Sequence, residues 1–132
     1  MAKATILFAE DDTLLRNIYA KKFTMAGYDV RPAADGEEAI MLLSKEPTPD
    51  LVVLDISMPK ADGFQVLERF PKTSRTYPVI MLTNFDLEEY RKRGKELGAD
   101  DFFVKKDMTI RSLLEMVERL LMLKQAEKNT KK

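Results

Sequence analysis

The stretch Leu51-Val52-Val53-Leu54-Asp55-Ile56-Ser57-Met58-Pro59 decides how this 132-residue chain is read. Four apolar residues in a row suit a strand covered on both faces, as in a parallel sheet under helices. The run ends on an aspartate. A carboxylate there is costly unless a cation or hydrogen-bond donors meet it. Asp55 therefore marks the place to look for chemistry.

Working outward, short apolar runs alternate with longer amphipathic ones. The expected strands are Thr5 to Ala9, Asp29 to Pro32, Leu51 to Leu54, Val79 to Leu82 and Asp101 to Val104. The first helix should start near Asp12 or Thr13, turn Leu15, Ile18, Tyr19 and Phe23 inward, and end at Gly27. The second runs from about Gly36 to Lys45, where Pro47 and Pro49 stop it, and the third lies between Gly63 and Pro71. A fourth, between Asp86 and Leu97, faces inward with Leu87, Tyr90 and Leu97. The last, from about Thr109, repeats Ile110, Leu113, Leu114, Val117, Leu120 and Leu121 at three-to-four spacing. Gly27, Gly36 and Gly98 all read as left-handed caps. Lys124 to Lys132 is expected to fray, giving a domain over residues 1–124 and a charged tail over 125–132. Five β-α units in succession imply right-handed crossovers and an α/β doubly wound sheet, whose ligands bind outside the carboxyl ends of the strands.

Composition narrows the chemistry. The length suits one domain, and hydrophobic and charged residues at 45% and 33% suit a globular one. Lys and Arg number 22 against 22 Asp and Glu, so no net charge draws the chain to nucleic acid or an anionic membrane. Cysteine and histidine are both absent, which excludes disulfides, thiolate or imidazole metal sites, Ser-His-Asp catalysis and an internal phosphohistidine. No apolar run approaches the roughly 18 residues of a membrane span, and a signal peptide's order is missing. A cytoplasmic location is expected.

The ends of the strands carry the candidates. Strand one runs into Glu10, Asp11 and Asp12; strands three, four and five end at Asp55, Thr83 and Lys105. If these strands are neighbours, carboxylates, a hydroxyl and an ammonium converge on one rim. Crowded carboxylates call for a cation, and Mg²⁺ takes a few oxygen ligands while sharing its shell with phosphate. Asp11 and Asp55 offer two such oxygens, and the turn after Asp55 offers a backbone carbonyl. An aspartate is a nucleophile that needs no general base, and attack on phosphorus then asks mainly for positioning and cations. Simpler roles exist for each residue alone: Asp11 or Asp12 as helix cap, Thr83 as turn residue, Lys105 and Lys106 as solvated charges.

Together these residues resemble the receiver domain of two-component response regulators, of the single-domain chemotaxis-regulator kind, from about Ala4 to Leu123. The resemblance implies a flavodoxin-like (βα)5 sandwich with strand order 2-1-3-4-5. It makes Asp55 the phosphoacceptor. Asp11, Asp55 and the Ser57 carbonyl become Mg²⁺ ligands, with Glu10 acting through water. Thr83 and Phe102 become the switch pair, and Lys105 the phosphoryl-binding lysine. Ser57 and Phe85 would border the path of hydrolytic water and imply slow autodephosphorylation. A histidine kinase or phosphotransfer protein would supply the phosphoryl group, and the helix 4, strand 5, helix 5 face would bind a protein target, with a homodimer allowed. Three positions depart from the family pattern. Lys106 replaces a proline usually joined by a cis peptide, Asn84 replaces a very small residue, and Phe102 lacks a tyrosine's hydroxyl. Two other functions compete. A Mg²⁺-dependent aspartyl phosphatase of the haloacid-dehalogenase type would need a second Asp where Ser57 stands, and a cap for which the chain has no length. A binding module that is never phosphorylated would leave the acceptor, metal carboxylate, hydroxyl and lysine without a purpose.

Overall fold

The structure is a computed structural model that describes the backbone of residues 2–130. Five strands, β1 (Thr5–Ala9), β2 (Asp29–Ala33), β3 (Leu51–Asp55), β4 (Val79–Thr83) and β5 (Asp101–Val104), alternate with α1 (Thr13–Met25), α2 (Gly36–Leu43), α3 (Gly63–Arg69), α4 (Glu88–Glu96) and α5 (Ile110–Thr130). All pairings are parallel, in the order β2-β1-β3-β4-β5. This flavodoxin-like α/β arrangement is the one expected from the sequence.

Strand alternation divides the core. Ile6, Phe8, Leu51, Val53, Ile80 and Leu82 face α1 and α5, where Tyr19, Phe23, Leu113 and Val117 complete one buried cluster. Leu7, Ala9, Val52, Leu54, Val79 and Met81 face the other way, toward α2 and α3. Both faces of the central strands are thus dry, which is why they read as unbroken apolar runs. At the opposite end from the site, Asp50 accepts from the Thr5 N–H and Asp100 from the Val79 N–H, each at 2.8 Å, so the loops entering β3 and β5 pin the starts of β1 and β4.

Several details correct the sequence reading. Ile18 is 36% exposed and Leu87 39%, so neither is a core anchor; the face of α1 that packs is carried by Tyr19 and Phe23. Gly27 and Gly98 do take positive φ, at 100° and 89°, but Gly36 does not. It opens α2, and a Cβ built there would lie 1.9 Å from the Ala61 carbonyl oxygen, so close approach of the β3–α3 loop demands the glycine. The helix α2 ends at Leu43, two residues short of Lys45. Helix α5 continues to Thr130, through most of the segment expected to fray; Lys131 and Lys132 lie outside the described residues. The Lys105–Lys106 peptide is trans, and the cis bond among the described residues is Glu46–Pro47.

Candidate functional site

Strand β1 delivers the acidic turn. Its last ladder bond runs from the Glu10 N–H to the Ala33 carbonyl at 3.0 Å, after which the chain leaves the sheet. Asp12 caps α1, its Oδ1 accepting from the Leu15 N–H at 3.0 Å. Capping therefore falls to Asp12 and leaves Asp11 free to serve the rim. Glu10 is 1% exposed, and its Oε2 accepts from the Asp12 N–H at 3.3 Å. Arg16, which the sequence reading passed over, reaches back from α1. Its Nη1 donates to the carbonyls of Glu10 at 2.9 Å and Asp11 at 3.3 Å. The available signal was an arginine one turn into a helix that follows three acids.

Strand β3 ends on Asp55, which is 2% exposed. The chain then folds back on itself: the Ile56 N–H donates to the Leu82 carbonyl, and the Gly63 N–H to the Ile56 carbonyl, each at 2.9 Å. A Cβ at Gly63 would stand 2.6 Å from the backbone oxygen of Asp55, so only glycine lets α3 start this close to the site. Ser57 is exposed and lines an open depression with Asp11, Ile56 and Met58. Thr83 is fully buried at the end of β4, beside β3, and its Oγ1 accepts from the Phe85 N–H at 3.1 Å.

From the end of β5, the Lys105 ammonium reaches Glu10 Oε1 at 2.6 Å and Asp55 Oδ2 at 2.9 Å. Two carboxylates thus share one ammonium, with a third, Asp11, close beside them. The imbalance shows in proton affinities. Burial raises the Glu10 pKa, and the neighbouring Asp55 carboxylate raises it further against the pull of Lys105. Asp11 is raised by burial and by Glu10. For Lys105, burial would lower the pKa, but hydrogen bonds to Glu10 and Asp55 and their charges outweigh it, and the net direction is upward. An added positive charge is what such a cluster lacks.

The donor set fits a hard divalent cation. Oxygens of Glu10, Asp11 and Asp55 lie within 4.8 Å of one another. Asp55 Oδ1 is buried and has no hydrogen-bond partner among the described residues, an unspent acceptor that burial makes expensive. The geometry brings together Glu10, Asp11, Asp55 and Lys105, with Thr83 and Ser57 at the margin. It does not bring in Phe102, which pairs with Met81 further back on the sheet and lies under the Arg91 guanidinium at 4.9 Å. Phe85 is 53% exposed, so it is no part of the core.

Known proteins resemble this chain in sequence and in fold. The chain matches the family model of the response regulator receiver domain over residues 6–118. It is 42% identical over 125 residues to the probable transcriptional regulator ycf27 of Porphyridium aerugineum, covering 90% of this chain and 51% of that protein. To the alkaline phosphatase synthesis transcriptional regulatory protein PhoP of Bacillus subtilis (strain 168) it is 39% identical over 100 residues, covering 76% and 41%. The chain spans about half the length of the curated relatives it matches. The Francisella response regulator 1452 receiver domain superposes with a TM-score of 0.83 at 32% identity, covering 91% of this chain and 98% of that one. A CheY-like response regulator receiver domain protein from Methanospirillum hungatei JF-1 gives 0.86 at 28%, covering 93% and 97%. Sequence match and superposition agree over nearly the whole chain, which belongs to the response regulator receiver domains of two-component systems.

Proposed function

We propose that this chain is a phosphorylation switch whose acceptor is Asp55. The observation that carries the reading is the state of that carboxylate: Oδ2 is held by Lys105, while Oδ1 is buried and unpartnered. One oxygen is anchored and the other is free to bond to phosphorus. A phosphohistidine on a kinase or phosphotransfer protein is the proposed donor. Mg²⁺, held by Asp11, Asp55 and the Ser57 carbonyl with Glu10 acting through water, would supply positive charge to the transferring group's oxygens. Lys105 supplies a second cation from the β5 side and fixes the orientation of the acceptor.

Thr83 reports arrival. Its Oγ1 accepts from the Phe85 N–H, so its own proton is uncommitted and can be donated to a phosphoryl oxygen. Turning the hydroxyl inward weakens its hold on Phe85 and frees the β4–α4 loop. A ligand shifts an equilibrium only through such a difference between states. The loop continues into α4; Asp86 of the loop pairs with Arg91 of the helix at 3.1 Å, and Arg91 stacks on Phe102 of β5. The α4-β5-α5 face is therefore the proposed output surface, open to a protein target or a second copy. Residues 1–124 are the proposed switch unit, with 125–132 appended to it, in the cytoplasm. The curated relatives named above are a probable transcriptional regulator and a transcriptional regulatory protein, so control of transcription is the output we assign to the pathway, without nucleic-acid contact by this domain. Slow self-hydrolysis belongs to the same reading, with Phe85 shielding the site and Ser57 too weak a base to drive water in. The domain acts as a switch and not as a turnover enzyme.

Beryllofluoride with Mg²⁺ tests the whole reading. Amide shifts of Asp55, Thr83, Tyr90 and Phe102 should move together on saturation, and an unchanged spectrum would contradict it.

A further inference from the structure

We infer that Arg16 is a positioning residue for divalent-cation binding, acting by holding the backbone of the acidic turn. The inference rests on the reading of Glu10, Asp11 and Asp55 as the cation site. The ladder between β1 and β2 ends at the Glu10 N–H, so the carbonyls of Glu10 and Asp11 fall outside it. Arg16 Nη1 takes both, at 2.9 and 3.3 Å. Arg16 is itself fixed in the first turn of α1, its N–H donating to the Asp12 carbonyl at 2.9 Å. On the far side of Asp11, the Asp12 N–H is taken by Glu10 Oε2. Both peptides flanking Asp11 are thus anchored. Asp11 is exposed on the rim, so its backbone does much to set the direction of that ligand.

Two roles for Arg16 predict opposite signs. A guanidinium carries the same sign of charge as the metal ion. If it acted only through its field, removing it would tighten cation binding. If it acts by holding the turn, removing it loosens binding, because the free peptides let Asp11 swing away. Supports of this kind are worth about tenfold to a hundredfold in metal affinity.

The experiment titrates Mn²⁺ by paramagnetic resonance, with displacement by Mg²⁺, on wild type, Arg16→Met and Arg16→Lys. Arg16→Met should bind about tenfold more weakly, with a metal-free melting temperature close to that of wild type. A single nitrogen makes both bonds, so a lysine ammonium can replace it, and Arg16→Lys should recover to within about threefold. Arg16→Met binding as tightly as wild type, or tighter, overturns the inference, as does no recovery in Arg16→Lys. Should Arg16→Met not fold, Arg16→Gln takes its place under the same criterion. A wild-type protein that fails to take up Mn²⁺ would instead sink the cation-site reading on which the inference stands.

Discussion

Replacing Lys105 with methionine keeps the length of the side chain and removes its charge. In the folded protein that ammonium is wedged between Glu10 and Asp55, whose side chains are 1% and 2% exposed. Without it, two buried carboxylates face each other, with Asp11 adjacent and no counter-charge. Breaking a buried pair by removing one partner costs about 3–5 kcal/mol. Glu10, whose pKa already lies above the usual value, can take up a proton and limit the damage, so the lower end, about 3 kcal/mol, is expected. For a domain of this size each kcal/mol is worth roughly 3–5 °C, giving a fall of about 10–15 °C in Tm. Circular dichroism melts at neutral pH without divalent metal would measure it. Added Mg²⁺ should raise Tm more in Lys105→Met than in wild type, because the ion replaces the missing charge. A metal-free Tm within about 2 °C of wild type would refute the argument that this lysine holds the carboxylate cluster together.

Gly36→Ala should destabilise by about 2–3 kcal/mol in urea unfolding, against the gain of about 1 kcal/mol usual for this change inside a helix, because the new methyl meets the Ala61 carbonyl; an unchanged midpoint would contradict this. Glu10 and Asp11 have folded pKa values raised above their unfolded ones, so their contribution to stability is present at low pH and is lost as pH rises through the raised values. Lowering the pH from neutral toward the ordinary carboxylate range should therefore stabilise metal-free wild type relative to Glu10→Gln while weakening its Mg²⁺ affinity, and a constant Tm difference between the two would argue against it. Phe85→Glu should shorten the life of the acyl phosphate by about tenfold by bringing a group that can align water to an exposed position at the rim. Equal decay rates in both proteins would leave Phe85 without a role in hydrolysis.

The sheet and its chemistry were legible because both depend on local pattern. Dry strands read as apolar runs, and Glu10, Asp55, Thr83 and Lys105 stand out as the first polar residues after them. What sequence could not resolve was direction. Asp11 and Asp12 are equally good caps on paper, and only the bond from Leu15 assigns that role to Asp12. Ile18 fits the apolar period of α1, yet the helix turns it to solvent and packs through Tyr19 and Phe23. Gly36 looks like a cap because the sequence does not show Ala61 arriving from 25 residues away to press on it. Arg16 was invisible for another reason: it serves backbone carbonyls, and these leave no trace in the identity of the residues that carry them.

In the proposed switch, Asp55 takes the phosphoryl group with a metal ion's help. Intact-mass measurement after incubation with acetyl phosphate tests it most directly, on wild type with Mg²⁺, wild type with excess chelator, and Asp55→Asn with Mg²⁺. The mass of one added phosphoryl group is expected in the first sample and none in the other two. Labelling of Asp55→Asn to the same extent as wild type would contradict it.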